Sequence, residues 1–206
     1  MGPLGDLRYL DYARDIHDAG THLLGIINDI LDMSKIESGK FKLDAEWTDL
    51  GELVEGVLHM VHARAREAGL TLHATAAGLP SVFCERRAFR QVLLNLIGNA
   101  IKFTPSGGRI DVNATTTAEG GIIVSVADTG VGIAPQNIPM ALTPFGQVEL
   151  TLSRAHGGVG LGLPLSQRLA ELHGGRLQIE STVGSGTTVS VTLPPERVSR
   201  SARRSA

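Results

Sequence analysis

Gln91, Asn95, Asn99 and Lys102 recur at intervals of four, four and three, so a helix over about Glu85–Phe103 puts them on one face. The other side of that helix carries Val92, Leu93, Leu96, Ile97 and Ile101, which must pack on an apolar surface. An amide-rich stripe beside an apolar one admits two readings. It is a solvated face, or its amide oxygens serve a hard cation such as Mg2+, which keeps waters and phosphate oxygens among its ligands. Spacing alone leaves both open. Further on, Asp128 ends a strand pattern and is followed by Gly130 and Gly132. An ionised carboxylate only accepts hydrogen bonds, and glycines let backbone approach another group closely. A plain Asp-Gly turn would explain the same glycines.

Two more motifs complete the series, Pro144-Phe145-Gly146-Gln147 and Gly157-Gly158-Val159-Gly160-Leu161-Gly162-Leu163. With Asn95–Thr104 and Asp128–Ile133, in this order, they resemble the N, G1, F and G2 boxes of sensor histidine kinases of two-component systems. The match runs from about Ser34 to Pro195. It implies the Bergerat-type ATP-binding fold of the GHKL group, with ATP held against a mixed sheet and helices under a mobile lid.

The resemblance also implies roles. Asn99, with Asn95 close by, would hold Mg2+, and Lys102 would lie near the phosphates. Asp128 would accept a hydrogen bond from the exocyclic amine of adenine, with Gly130 and Gly132 admitting the base. The implied ATP-binding set also includes Phe103 and Ile133. Phe145 matches the aromatic lid anchor. Gly158, Gly160, Leu161, Gly162 and Leu163 fall where backbone N–H groups and a helix start meet phosphate oxygens. Val159 departs from the usual threonine. Arg154 could reach the terminal phosphate, and Thr187 matches a segment beneath the adenine.

The family's phosphoacceptor box reads roughly His-Glu/Asp-x-x-Thr/Asn-Pro, and no such string occurs here. His17-Asp18-Ala19-Gly20-Thr21 echoes it, but His22 stands where proline is expected. The implied activity is therefore γ-phosphoryl donation to a histidine outside this chain, on a helix supplied in cis or in trans. Self-phosphorylation of the chain alone is not expected. A response-regulator receiver domain is the further implied partner. One rival is a phosphotransfer adaptor or pseudokinase, which should show eroded boxes. Another is a different GHKL ATPase, which tends to carry an acidic base where this chain has Gly98-Asn99-Ala100. His59, His62 and His73 lack neighbours at metal-ligand spacing, and His173 reads as polarity at a helix C-terminus.

These residues need elements to hold them. From Tyr9 through Ala13, Ile16, Gly20, Leu23, Ile27 and Ile30 to Ser34 the spacing alternates four and three, a heptad seam widened by Leu10, Leu24 and Leu31. This predicts a bundle helix over about Leu7–Ser38 with Gly39 as C-cap, resembling the second helix of the kinase hairpin and open to homodimer formation. Phe41, Leu43, Ala45 and Trp47 alternate as in a half-buried strand. Asp49 with Glu52 starts a helix running to about Glu67. Strands follow at Thr71–Thr75 and Ser81–Cys84, then at Ile110–Thr115 and Gly121–Ala127. Pro135–Val159 has little periodicity and reads as a lid. A helix over Leu161–His173 and strands at Arg176–Ser181 and Gly186–Leu193 close the pattern.

The expectation is an α+β fold, a two-layer sandwich of a mixed β-sheet and helices behind a long N-terminal bundle helix. Its segments are 1–38, the hairpin helix; 39–196, the ATP-binding domain; and 197–206, a disordered Ser/Arg tail. With 19 basic and 21 acidic residues in 206, general nucleic-acid binding is not expected. Single Cys84 excludes an internal disulfide and suits a small buried hydrophobe. No apolar run approaches the ~18 residues of a membrane span, and Met1–Tyr12 has no signal-peptide core. The reading is cytoplasmic.

Overall fold

The computed structural model describes residues 7–76, 78–146 and 159–199, in two units, 1–41 and 42–206. The first unit is helix α1, Leu7–Glu37. It stops where Gly39 takes a φ of 65° and donates its N–H to Ile36 O at 3.0 Å, the glycine C-cap expected from sequence. The apolar seam of α1 stays exposed, with Ile16 at 73% and Leu24 at 63%.

The second unit runs β1 (Glu46–Asp49), α2 (Leu50–Glu67), β2 (Thr71–Thr75), β3 (Ser81–Cys84), α3 (Arg86–Phe103), β4 (Arg109–Thr116), β5 (Ile122–Asp128), α4 (Ile138–Ala141), α5 (Gly162–Leu172), β6 (Arg176–Thr182) and β7 (Gly186–Leu193). Asp49 caps α2 by accepting from the Glu52 N–H at 2.9 Å, which satisfies one of the orphan donors of a helix start. The main sheet has the order β2-β4-β5-β7-β6. β2 lies parallel to β4, and the remaining neighbours are antiparallel. The sheet is thus mixed, and with α2, α3 and α5 it forms the expected two-layer sandwich.

One face of the sheet is the core. Ile122, Val124 and Val126 of β5 alternate into it, as do Val189, Val191 and Leu193 of β7. Against them α3 buries Phe89, Val92, Leu93, Leu96 and Ile97, the apolar stripe read from sequence. Truncating a buried leucine such as Leu96 to alanine would cost about 2–5 kcal/mol. At one end of this face the apolar rows give way to polar residues. Asp128 of β5 is the cross-strand partner of Thr187, and Thr187 is the partner of Ser181 on β6. Because side chains alternate, directly paired residues share a face, so these three form one polar row beside the core.

Three expectations need correcting. The strand predicted over Phe41–Trp47 is instead β1 at Glu46–Asp49, and Trp47 is 57% exposed while Thr48 is buried. β1 pairs with β3 in a separate antiparallel sheet, where Trp47 meets Phe83 with centroids 5.3 Å apart on the outer side. The aperiodic stretch after Pro135 contains a 3-10 turn at Pro135–Asn137 and the short helix α4. Order also continues into the stretch assigned to the tail. Val198 bridges Val82, Ser199 N–H donates to Ser81 O at 2.9 Å, and the Arg197 guanidinium donates to Phe83 O at 3.2 Å. Cys84 is buried at the end of β3, as expected.

Candidate functional site

Asp128 closes β5 with its carboxylate held by backbone. Its Oδ1 accepts from Gly130 N–H at 2.8 Å and from Thr187 N–H at 3.3 Å. Burial pushes the carboxyl above its ordinary 3.8, and these two hydrogen bonds pull it back only in part. Both N–H groups engage Oδ1, so Oδ2 remains for a donor arriving from outside the sheet. A side chain that only accepts, placed in a half-buried recess, selects N–H groups.

The glycines after Asp128 are required by the protein before any ligand arrives. A Cβ on Gly130 would lie 2.5 Å from Phe103 O and 2.7 Å from Asp128 Oδ1. Gly132 has a φ of 69° and packs its Cα against Thr182 O of the β6–β7 hairpin. The loop is stitched on both sides. Val131 N–H donates to Phe103 O at 3.2 Å, Gly184 N–H to Val131 O at 2.8 Å, and Ile133 N–H to Ser181 Oγ at 2.7 Å. Phe103, Asp128, Gly130, Gly132, Ile133 and Thr187 are therefore one neighbourhood, assembled from the end of α3, the end of β5 and the β6–β7 turn.

The amide stripe lies on α3. Asn95 donates through Nδ2 to Gly162 O at 3.2 Å and to Ser166 Oγ at 3.4 Å, which joins it to the first turn of α5. With Nδ2 so committed, its Oδ1 has no hydrogen-bond partner among the described residues. Asn99, one turn further on, is half-buried and has no hydrogen-bond partner among the described residues. No group of three or more His, Cys, Asp or Glu able to hold a metal occurs among the described residues. Two amide oxygens without a carboxylate cage fit an ion such as Mg2+ that keeps waters and takes phosphate oxygens. Lys102 sits one turn beyond, its ammonium 4.9 Å from the Phe103 ring centroid. Burial first, and then the nearby Arg64, hold its pKa below the usual lysine value.

Leu161 is buried and precedes the α5 helix, which begins at Gly162 with Leu163 half-buried behind it. Gly160 has a φ of 76°, and its carbonyl accepts from Phe145 N–H at 3.1 Å. Phe145 itself has a φ of 62°, rare for an aromatic residue, and is 60% exposed. The Pro144–Gln147 motif and the glycine box thus meet through backbone. Arg154 and Gly158 lie outside the described residues.

Sequence reading misjudged one residue and missed two. His173 stands at the C-cap of α5, as expected, but not as exposed polarity. It is fully buried, with Nδ1 2.7 Å from Leu169 O, so Nδ1 carries the hydrogen and Nε2 accepts from Glu85 N–H at 3.1 Å. Burial depresses its pKa. Ser166, fully buried on α5, donates to Gly162 O at 2.8 Å. Ser181 bonds to Ile133, Gly186 and Thr187. A polar residue continuing the Leu177, Ile179 alternation was the available signal for Ser181.

Residues 84–197 match the family of histidine kinase-, DNA gyrase B-, and HSP90-like ATPases. The chain is 50% identical over 197 residues to the non-motile and phage-resistance protein of Caulobacter vibrioides, covering 94% of this chain and 23% of that protein. It is 45% identical to the histidine protein kinase DivJ of the same organism, covering 94% of this chain and 32% of DivJ. Among solved structures, full-length ShkA in complex with AMPPNP superimposes with a TM-score of 0.82 at 28% identity, over 100% of this chain and 42% of that one. The catalytic domain of histidine kinase ThkA shares the fold, with a TM-score of 0.63 at 23% identity over 74% of this chain and 98% of that one. The chain spans 23% and 32% of the length of these two curated relatives.

Proposed function

We propose a phosphoryl-transfer role from one premise: the chain belongs to the family of histidine kinase-, DNA gyrase B-, and HSP90-like ATPases, as the ATP-binding catalytic domain of a histidine kinase. In this reading it binds ATP with Mg2+ and donates the γ-phosphoryl group to a histidine on a helix supplied in cis or in trans. The observation that carries it is Asp128, an acceptor held by two backbone N–H groups in a half-buried recess lined by glycine backbone. That recess suits the 6-amino edge of adenine.

The division of labour follows from the two ends of the site. Asp128 and Thr187 take the base, and the Gly130–Ile133 backbone lies along it. Asn99, with Asn95 close by, would hold the metal, which would supply positive charge against the phosphates. Lys102 adds a cation on the same helix face. Gly160 and the start of α5 bring backbone N–H groups towards the terminal phosphate, and Arg154 and Gly158 precede them in sequence. Little covalent work falls to the protein. Its task is to hold the γ-phosphorus in line with an incoming imidazole.

The acceptor is not His17, whose surroundings lack the proline of an acceptor box. A response-regulator receiver domain takes the phosphoryl group onward. α1 pairs with a second copy through its exposed seam, because Ile16, Leu23, Leu24 and Leu31 are all at least half exposed. No described helix is long and apolar enough to cross a membrane. We place the domain in the cytoplasm, where ATP is available.

Thermal denaturation with AMPPNP and Mg2+ tests the binding step. Ligand that binds only the folded state must raise Tm as its concentration passes Kd. No shift at millimolar nucleotide would sink the reading. Labelling with γ-phosphate-labelled ATP tests transfer. The chain alone should remain unlabelled and should label an acceptor helix added in trans. A signal that vanishes in His17→Ala would make His17 the acceptor instead.

A further inference from the structure

The hydroxyl of Ser181 has three neighbours, and together they limit where its hydrogen can point. Ile133 N–H lies 2.7 Å from Ser181 Oγ and can only donate to it. Gly186 O lies 3.0 Å away and can only accept. Thr187 Oγ1, at 2.9 Å, could do either. A serine hydroxyl owns one hydrogen and two lone pairs. If the hydrogen goes to Gly186 O, Ile133 fills one lone pair and the Thr187 hydroxyl must donate to the other. Every valence of Ser181 is then used. Thr187 has spent its only side-chain hydrogen, and its Oγ1 can offer nothing but lone pairs.

Thr187 is the cross-strand partner of Asp128, and its N–H already goes to Asp128 Oδ1. The two side chains sit side by side on one face of the sheet. We propose that Ser181 is a positioning residue for base selection: it orients the Thr187 hydroxyl so that Thr187 and Asp128 present a pure acceptor pair to the ligand. Such a pair welcomes an exocyclic amine and repels a carbonyl oxygen at the same position. A free threonine hydroxyl would instead turn to donate to that oxygen, and discrimination between a 6-amino and a 6-oxo purine would fall. The effect passes through Thr187, since Ser181 need not touch the base.

This inference rests on the nucleotide-binding reading, and ligand chemistry separates the two. Isothermal calorimetry with Mg2+ compares three probes on the full chain: ATP, purine riboside triphosphate, which lacks a 6-substituent, and inosine triphosphate, which carries a 6-oxo group. ATP should bind tightest. The purine analogue should lose one hydrogen bond, roughly fivefold, and inosine triphosphate should bind more weakly than the analogue because its oxygen faces two acceptors. In Ser181→Ala the lead of ATP over inosine triphosphate should shrink roughly five- to tenfold. Ser181→Thr, which keeps a hydroxyl, should retain it. In a Thr187→Val background, Ser181→Ala should change the ratio no further, because the hydroxyl it orients is gone. Unchanged discrimination in Ser181→Ala with ATP still bound would overturn the proposal. If that variant does not fold, wild-type protein binding inosine triphosphate as tightly as the purine analogue would overturn it equally. Failure of the wild type to bind any of the three would remove the nucleotide reading itself, and this inference with it.

Discussion

The two ends of the site are built on different principles. At the base end, every polar group is fixed by strand register or by backbone hydrogen bonds: Asp128 by Gly130 and Thr187, Ile133 by Ser181, and Val131 by Phe103 and Gly184. At the phosphate end, the Asn99 and Lys102 side chains stand on one face of α3 without polar partners among the described residues, whereas Asn95 is anchored to Gly162 and Ser166. The base end is finished before ligand arrives. The phosphate end, on the proposed reading, holds groups in reserve for a metal and phosphates. The proposed function would then assign selectivity to the sheet and charge neutralisation to the helix.

The largest expected effect breaks the phosphate end. Asn99→Ala should abolish the gain in nucleotide affinity that Mg2+ confers, so that the variant binds equally with metal and with chelator. Comparing AMPPNP titrations in Mg2+ and in EDTA checks this. A preserved metal dependence would move the metal off Asn99. The matching break at the base end is smaller and different in kind. Asp128→Asn offers an amide hydrogen to an amine that is itself a donor. It should cost about 2 kcal/mol, roughly thirtyfold in ATP affinity, while leaving the Mg2+ dependence intact. Losing ATP and Mg2+ dependence together would mean that the two ends are not separable.

The same contrast explains what sequence could and could not show. The Asp128–Ile133 segment was legible because its chemistry is local, with acceptor, glycines and turn lying in six consecutive residues. The amide stripe on α3 was legible because helical spacing alone brings Asn95, Asn99 and Lys102 together. Ser181 was not, since its importance comes from pairing with Thr187 across a hairpin and with Ile133 from another loop. His173 was misread for the same reason. A histidine at a helix end suggests a charge beside the dipole, but Glu85 N–H, 88 residues away in sequence, and the Phe89 ring at 6.2 Å enclose it. The phase of β1 was also hidden. A tryptophan suggests an inward side chain, yet Thr48 takes that side opposite Val82, and Trp47 lies outside against Phe83.

Acidity sharpens the comparison further. Burial raises the Asp128 pKa in the free protein above its ordinary 3.8, and the proposed contact with the adenine amine uses the ionised form. Acidification should therefore weaken ATP binding at the base end before ordinary carboxylates titrate, and Asp128→Asn should remove that dependence. Affinity measured between pH 7 and the lowest pH at which the chain stays folded checks it. Gly130→Ala addresses the same end by sterics. Its Cβ would crowd Phe103 O at 2.5 Å, a backbone atom that cannot swing away, so the variant should lose about 1–3 kcal/mol of stability, read as a lower Tm without nucleotide. A neutral result would mean that the loop relaxes more easily than its hydrogen bonds imply.

The smallest effect concerns what ties α3 and α5 together. Asn95 joins α3 to the start of α5, and His173 joins the end of α5 to the start of α3 through Glu85 N–H. The imidazole must be neutral to do this, because a hydrogen on Nε2 would face an N–H donor. From the other elements packed around it, Arg197 adds a positive charge that also disfavours the cation, and the Glu85 side chain is the acidic group at the same helix start. The folded pKa thus lies below the 6.5 of an unfolded histidine. The stability this contributes is complete above pH 6.5 and is lost as pH falls from there through the depressed folded value. The loss cannot exceed about 1.4 kcal/mol per pH unit, since one proton is involved. Urea unfolding at pH 7.5 and 5.5 measures it, and His173→Leu, less stable at neutral pH, should show a flatter pH dependence. An equally steep dependence in that variant would assign the acid sensitivity to other groups and leave His173 as packing alone.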